Sequence, residues 1–220
     1  PEWIPSRAMK FVEERRERRR CHLLRFGCWN VRSLVERDGA IETASVSGRV
    51  VENKKINRVV AELRRFDIAA AGLQETHWFG QESYVVDGFT ILSSGRPSPG
   101  ADDSRRRGEG VAIVLDRCAA SAWRAGGCVW KAVSSRVVSA RLQFALVDGS
   151  AKSFTLVCAY DPTYAASRTV KEKFFDDVQS VLYDVPPSDC CVVVGDFNAR
   201  VGSGQRGDEW SDVRGTHGYN

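Results

Sequence analysis

The chain has 220 residues, 43% of them hydrophobic and 27% charged, an ordinary globular composition that allows one domain with a substantial core. No apolar run is long enough to cross a bilayer with a helix, and the opening Pro1-Glu2-Trp3-Ile4-Pro5 is no signal peptide, so a protein that is neither membrane-spanning nor secreted is expected. The formal charge of +4 is concentrated in residues 1–20, which hold seven basic and four acidic side chains, so the global charge is no argument for a nucleic-acid partner.

Residues 1–20 read as a basic tail, with Arg15-Arg16-Glu17-Arg18-Arg19-Arg20 suiting a nuclear localisation or nucleic-acid-binding segment as well as a solvated helix. Residues 21–220 read as one domain. His22 to Trp29 is the first predicted strand, with Asn30 at its end. Apolar Val51, Ile56, Val59, Val60, Leu63 and Phe66 recur at helical spacing over residues 50–66. Asp67 to Gln74 is a second, small-residue strand with Glu75 at its end. This β-α-β order predicts neighbouring strands whose polar tips share one end of a sheet.

The middle of the chain is β-rich, with strands predicted at Ser83–Ser93, Gly110–Leu115, Arg136–Val147 and Ser153–Tyr160. Ser93–Gly110 is a Ser, Gly, Pro and Arg loop containing Arg105-Arg106-Arg107, and Asp148-Gly149 signals a hairpin. Ala165–Tyr183 reads as a helix whose buried stripe is Val170, Phe174, Phe175, Val178, Val181 and Leu182, stopped by Pro186-Pro187. Cys190–Val194 is a short apolar run closed by Gly195, which predicts a strand buried on both faces. Alternation then puts Asp196 and Asn198 on one side and Phe197 on the other. The seven cysteines form no C-x-x-C pair or zinc-type cluster, and read as buried thiols of a reducing nuclear or cytoplasmic compartment.

Asn30, Glu75, Tyr160, Asp196 and Asn198 all stand at predicted strand ends, where α/β scaffolds place their sites. This oxygen-rich set suits Mg²⁺ or Mn²⁺, which are held by one or two carboxylates and keep several waters. The amides and the phenol can donate to phosphoryl oxygens, and Asp196 can orient a water. Such parts suit hydrolysis of a phosphate ester. The same residues also suit an Asp-rich turn after a strand.

N-V-R-S-L at 30–34, L-Q-E-T-H-W at 73–78, G-E-G-V-A-I-V-L at 108–115, C-A-Y-D-P-T at 158–163 and V-V-V-G-D-F-N-A-R-V-G at 192–202 occur in order. Together they resemble the endonuclease/exonuclease/phosphatase superfamily, and within it the apurinic-type endonuclease of non-LTR (LINE, RTE/BovB-like) retrotransposons. The resemblance implies a four-layered α/β sandwich, two central sheets flanked by helices. It implies that Glu75 binds Mg²⁺ (or Mn²⁺) with support from Asn30, and that Tyr160 contacts the scissile phosphate. Asp196 would align the attacking water beside Asn198, and His77 would lie near the phosphate. The implied substrate is DNA, nicked to leave a 3′-OH, with RNA or a reverse transcriptase domain as further partners in a parent element. The superfamily pattern continues with an Asp motif and a Ser-Asp-His motif that have no counterpart before Asn220, so the resemblance implies an incomplete domain of little activity. His217, in G-T-H-G, reads as a surface loop. Arg32 sits where apurinic repair enzymes often have an Asp.

Two other functions fit the same residues. One is a phosphatase or phosphodiesterase of the same superfamily. The other is a non-catalytic protein that binds nucleic acid through the basic tail and Arg105–Arg107. The charge distribution generates a first prediction: deleting residues 1–20 weakens DNA binding about equally for all sequences and flattens its salt dependence. Filter binding over a salt series, on two unrelated duplexes, checks it. A loss confined to one duplex would show that the tail reads bases.

Overall fold

The computed structural model describes residues 24–35, 54–97, 108–146 and 148–199. Residues 1–20, Val51, Arg105–Arg107, Val147 and His217 lie outside the described residues. Strands β1 (Phe26–Asn30) and β2 (Ala70–Gln74) are parallel, joined through helix α1 (Lys54–Arg65). The segment expected to be one strand, 83–93, is a hairpin of β3 (Gln81–Val86) and β4 (Phe89–Ser94). Asp87 and Gly88 turn it with φ of 46° and 81°, the left-handed pair that a two-residue hairpin requires. β5 (Val111–Leu115) completes a five-stranded sheet of order β1-β2-β5-β4-β3.

Helix α2 (Arg117–Ala125) and strand β6 (Trp130–Ser134) were not anticipated from the sequence. Asp116 caps α2 by accepting from the Ala119 amide at 2.8 Å. The helix is short and Ala-rich, so it presents no long aliphatic period to read. β6, β7 (Val137–Ala145) and β8 (Ala151–Tyr160) run antiparallel, and after helix α3 (Arg168–Tyr183) strand β9 (Cys190–Asp196) joins β8 in parallel. These make a four-stranded sheet of order β6-β7-β8-β9.

The two mixed sheets stack face to face. Inward residues Leu92, Ile113, Leu115, Val138, Leu142, Leu156 and Cys158 form the central core, and α2 adds Ala119, Ala122 and Trp123 to it. α1 covers the outer face of the first sheet with Ile56, Val59, Val60 and Leu63, all buried. Burial of each such side chain contributes about 2 kcal/mol. α3 covers the outer face of the second sheet with Phe174, Val178 and Val181. The result is an α/β sandwich of four layers. No helix among the described residues is long and apolar enough to cross a membrane.

Expectations about burial fail for one reason. Val170, Phe175 and Leu182 belong to the stripe expected to be buried but are 41%, 57% and 43% exposed. β9 is not buried on both faces: it is the last strand of its sheet, and Cys190, Cys191 and Val193 are exposed. Of the six cysteines among the described residues, only Cys158 is buried; Cys28, Cys128, Cys190 and Cys191 are exposed and Cys118 is half-buried. An apolar pattern records which residues favour burial, while position within the sheet order decides which find a cover.

Entry into β9 is pinned by one buried charge. The Asp189 carboxylate, fully buried, accepts Arg141 Nε and Nη2 at 2.7 and 2.9 Å and Thr155 Oγ1 at 3.1 Å. These donors, the Arg141 fork first among them, hold the Asp189 carboxyl below the usual aspartate range. A depressed folded-state pKa adds stability above the unfolded value, about pH 4, which is lost as pH falls through the folded value. Asp189→Asn is expected to cost about 2–3 kcal/mol at pH 7, since Arg141 would keep its charge without a counter-ion. Urea melts at pH 7 and pH 3 check this; the difference between variant and wild type should shrink at the lower pH.

Candidate active site

Strand register brings the site together. β1, β4, β5, β8 and β9 each alternate between the inter-sheet core and the outer faces. In β1 and β9 the inward set ends in Asn30 and Asp196; in β8 it ends in Tyr160. Asn30 pairs with Gln74, immediately before Glu75, and Tyr160 pairs with Asp196. Both parallel pairs therefore end at the same mouth of the sandwich, with polar tips facing one another.

Their contacts are direct. Asn30 Nδ2 donates to Glu75 Oε1 at 2.7 Å and to Asp196 Oδ2 at 2.9 Å. Tyr160 Oη donates to the same Glu75 Oε1 at 2.9 Å. Asn30 Oδ1 accepts the Arg32 amide at 3.1 Å, which fixes the side-chain amide with its nitrogen toward the carboxylates. Four of the five strand-end residues singled out in the sequence thus form one hydrogen-bonded network across the two sheets.

Asn198 joins it differently from what alternation suggests. β9 stops at Asp196, and Asn198 has φ of 44°, so the two side chains are not strand neighbours. Instead the Asn198 backbone amide donates to Asp196 Oδ1 at 3.0 Å, a local turn closed by the aspartate. The Asn198 side chain donates to the Asp161 carbonyl at 2.7 Å. Asn30, Asp196 and Asn198 line an open cleft of about 590 Å³ together with Cys28 and Phe197.

His77 stands apart from this network. Its backbone amide donates to the Glu109 carbonyl at 3.1 Å, and its Nε2 is buried with no hydrogen-bond partner among the described residues. Burial lowers its pKa, with Arg96 and Lys55 acting in the same direction against Glu75. At neutral pH it is an uncharged imidazole.

Backbone strain gathers at the same mouth. Arg32, Ser33, Glu75, His77 and Asn198 all have positive φ, and none is glycine. Gly110, with φ of 116°, permits the close approach behind Glu75, because a Cβ there would collide with Thr76 Oγ1. The sequence carries no local signal for the five strained positions.

The charges set the proton inventory. Burial, and then Glu75 as acceptor and charge, push the Tyr160 phenol up to about 12, so it remains a donor throughout the neutral range. Burial also raises Asp161, opposed by Lys171 and Arg136. Burial raises the Cys28 thiol, which keeps it protonated beside Asp196.

The donor set fits a hard divalent cation. The described residues contain no group of three His, Cys, Asp or Glu that could hold a metal ion. Glu75 and Asp196 supply two carboxylates, the number with which Mg²⁺ is commonly held while it keeps its waters. Glu75 Oε2 accepts no hydrogen bond among the described residues, whereas both Asp196 oxygens do. Glu75 is therefore the better placed of the two to give an oxygen to a metal.

Residues 27–214 match the model of the endonuclease/exonuclease/phosphatase family. The chain belongs to that family. Members of the family generally use divalent metal ions. The chain is 28% identical over 177 residues to craniofacial development protein 2 of Bos taurus, a match covering 80% of this chain and 24% of that protein. Craniofacial development protein 2 of Tragulus javanicus is similar to the same degree, with 25% of its length covered. The chain thus spans about a quarter of the length of these curated relatives. Among solved structures, the catalytic domain of Xenopus laevis APE2 superposes with a TM-score of 0.50 at 13% identity, covering 80% of this chain and 58% of that one. The human Nocturnin catalytic domain superposes at 0.45 with 14% identity, covering 80% of this chain and 64% of that one. The likeness to the APE2 catalytic domain shows the shared sandwich fold.

The Asn30 amide is the neutral spacer between two carboxylates. Asn30→Asp replaces a shared donor with a third negative charge and is expected to cost about 1–3 kcal/mol at pH 7. Acid or millimolar Mg²⁺ should restore much of the loss, since either neutralises the cluster. Thermal melts with and without Mg²⁺ check it, and a midpoint insensitive to Mg²⁺ would remove the metal from this cluster.

Proposed function

We propose that the chain is a Mg²⁺-dependent phosphodiester hydrolase domain acting on DNA, of the apurinic-type endonuclease kind used by non-LTR retrotransposons. The observation that carries this reading is the single network joining Asn30, Glu75, Tyr160 and Asp196 at the mouth of the sandwich. Asn30, Asp196 and Asn198 line the open cleft, and Glu75 and Tyr160 are tied to it through the Asn30 amide and the Glu75 carboxylate.

Each residue has a role in hydrolysis. Glu75, with Asn30 supporting it, would hold the metal, whose positive charge supplies stabilisation of the developing phosphorane. Asp196 orients and accepts a proton from the attacking water, because its carboxylate is fixed by two donors in one geometry. Tyr160 donates its single hydroxyl hydrogen to Glu75 Oε1 in this structure, and turning that hydrogen about the C–O bond would bring it to a non-bridging phosphate oxygen, with burial keeping the phenol protonated. Asn198 keeps the loop after β9 closed on Asp161. His77, expected near the phosphate, keeps its Nε2 buried, and through its amide it ties the Glu75 loop to the Glu109 carbonyl. In this reading the product carries a 3′-OH, the end that primes reverse transcription, and the compartment is the nucleus or cytoplasm.

Specificity for DNA over other phosphate esters rests on the resemblance of L-Q-E-T-H-W and C-A-Y-D-P-T to retrotransposon endonucleases. The reading as a superfamily phosphatase predicts turnover of inositol phosphates instead. The test is nicking of supercoiled plasmid over several hours, run beside inositol phosphates and a Mn²⁺ titration. Turnover is expected to be Mg²⁺-dependent. Glu75→Gln should weaken Mn²⁺ binding by about tenfold, since it removes the charge and keeps the shape. Asp196→Asn should leave metal affinity within about threefold and lower nicking by about 100-fold or more. Equal Mn²⁺ binding by wild type and Glu75→Gln would overturn the assignment, and release of phosphate from inositol phosphates without nicking would favour the phosphatase.

A further inference from the structure

Behind Tyr160 lies a second charged pair that the hydrolase chemistry does not use. Arg136 occupies the turn between β6 and β7. Its guanidinium carbon is 5.2 Å from the centroid of the Tyr160 ring. Arg136 Nη1 donates to the Tyr160 carbonyl at 3.3 Å, and the Tyr160 amide donates to the Arg136 carbonyl at 2.9 Å. Nη2 pairs with Glu109 Oε1 at 3.1 Å, and Glu109 Oε2 accepts Ser135 Oγ at 2.6 Å. The side chains of Arg136 and Glu109 are only 18% and 20% exposed.

The other end of this pair reaches Glu75. The Glu109 carbonyl accepts the His77 amide, and the Gly110 carbonyl accepts the Thr76 amide at 2.9 Å. The strained loop that carries Glu75 therefore hangs on Glu109, whose side chain holds Arg136, and on its neighbour Gly110, whose amide donates to the Ser135 carbonyl. Tyr160 and Glu75 meet through one hydrogen bond across two sheets. Rotation of the phenol about its first side-chain torsion would break that bond, and the guanidinium beside the ring opposes such rotation.

We propose that Arg136, held by Glu109, is a positioning residue that sets the Tyr160 phenol against Glu75. A buried ion pair is a poor device for stability alone, because apolar residues of like volume would hold two sheets as well. A planar fork is a good device for orientation. It donates in fixed directions to the Glu109 carboxylate and the Tyr160 carbonyl while stacking on an aromatic ring, which a lysine cannot reproduce. The inference rests on the hydrolase reading, in which the Tyr160 hydroxyl belongs to the site.

The test uses the full chain labelled with 3-fluorotyrosine, which reports on its five tyrosines by fluorine NMR. Tyr160→Phe assigns the Tyr160 line. Arg136→Met is expected to move or broaden that line and leave those of Tyr84, Tyr164 and Tyr183 in place. Glu109→Gln should act in the same direction, and Arg136→Lys should restore the line only in part. Mn²⁺ affinity should fall by about tenfold in Arg136→Met, as when the supporting partner of a metal ligand is removed. A Tyr160 line unmoved by Arg136→Met, or fully restored by Arg136→Lys, would overturn the proposal, since charge or bulk alone would then suffice. If Arg136→Met does not fold, the Arg136→Lys line decides by itself. A wild-type chain that binds no Mn²⁺ removes the hydrolase reading, and the fluorine line still decides what Arg136 does.

Discussion

One carboxylate oxygen holds this structure's chemistry together. Glu75 Oε1 accepts a donor from each sheet, Asn30 Nδ2 from the first and Tyr160 Oη from the second. Asn30 then passes its second hydrogen to Asp196, so the end of β9 is bound to the end of β1. Each bond to a charged acceptor is worth more than a neutral one, and at a partly desolvated mouth it also fixes direction. Without this oxygen the tips of the two parallel pairs would be four polar side chains near one another. With it they are a single constellation with one geometry.

The constellation depends in turn on how closely the sheets stack. Gly72 on β2 faces Val194 and Cys158, and a Cβ there would come within 2.6 Å of one and 2.8 Å of the other. Gly195 is likewise pressed against the Ala159 backbone. These absent side chains let β2, β8 and β9 approach until residues at their ends share hydrogen bonds. Gln74 fills the remaining space: it is fully buried and lies between two thiols, accepting from Cys28 Sγ at 3.4 Å and donating to Cys158 Sγ at 3.2 Å. Weak sulfur partners suffice to satisfy a buried amide directly beneath Asn30 and Glu75.

Strain at the mouth is the counterpart of order in the core. Five residues with positive φ and a side chain stand where β1, β2 and β9 give way to loops, each costing of order 1–3 kcal/mol. The surrounding ladder bonds hold them there: the amides of Ser33 and Leu34 donate to the carbonyls of Glu75 and Thr76 at 2.7 and 3.0 Å. Lys55, donating from α1 to the carbonyls of Ser33 and Val35, closes the same loop from outside. The described parts of these loops are thus held in place by hydrogen bonds to the sheets and one helix.

The sequence by itself determined the identities and the order: a strand ending in Asn30, a helix, a strand ending in Glu75, and later strands ending in Tyr160 and Asp196. It could do so because a carboxylate or amide cannot lie unpaired in a strand interior, so polar tips mark strand ends without any knowledge of the fold. It also carried five family motifs, and with them the α/β sandwich. Local patterns missed what depends on neighbours distant in the chain. The Asp87-Gly88 turn was legible and passed over, α2 was too short to show a period, and the exposure of β9, Phe175 and Leu182 followed from where the sheet stops. The tertiary structure alone decided which donor meets which oxygen, that Asn198 acts through its backbone, and that Arg136 and Glu109 stand behind Tyr160. Apart from the local Asn198–Asp196 turn, those are contacts between residues separated by 24 to 166 positions, fixed by register and sheet stacking, and no period or motif encodes them.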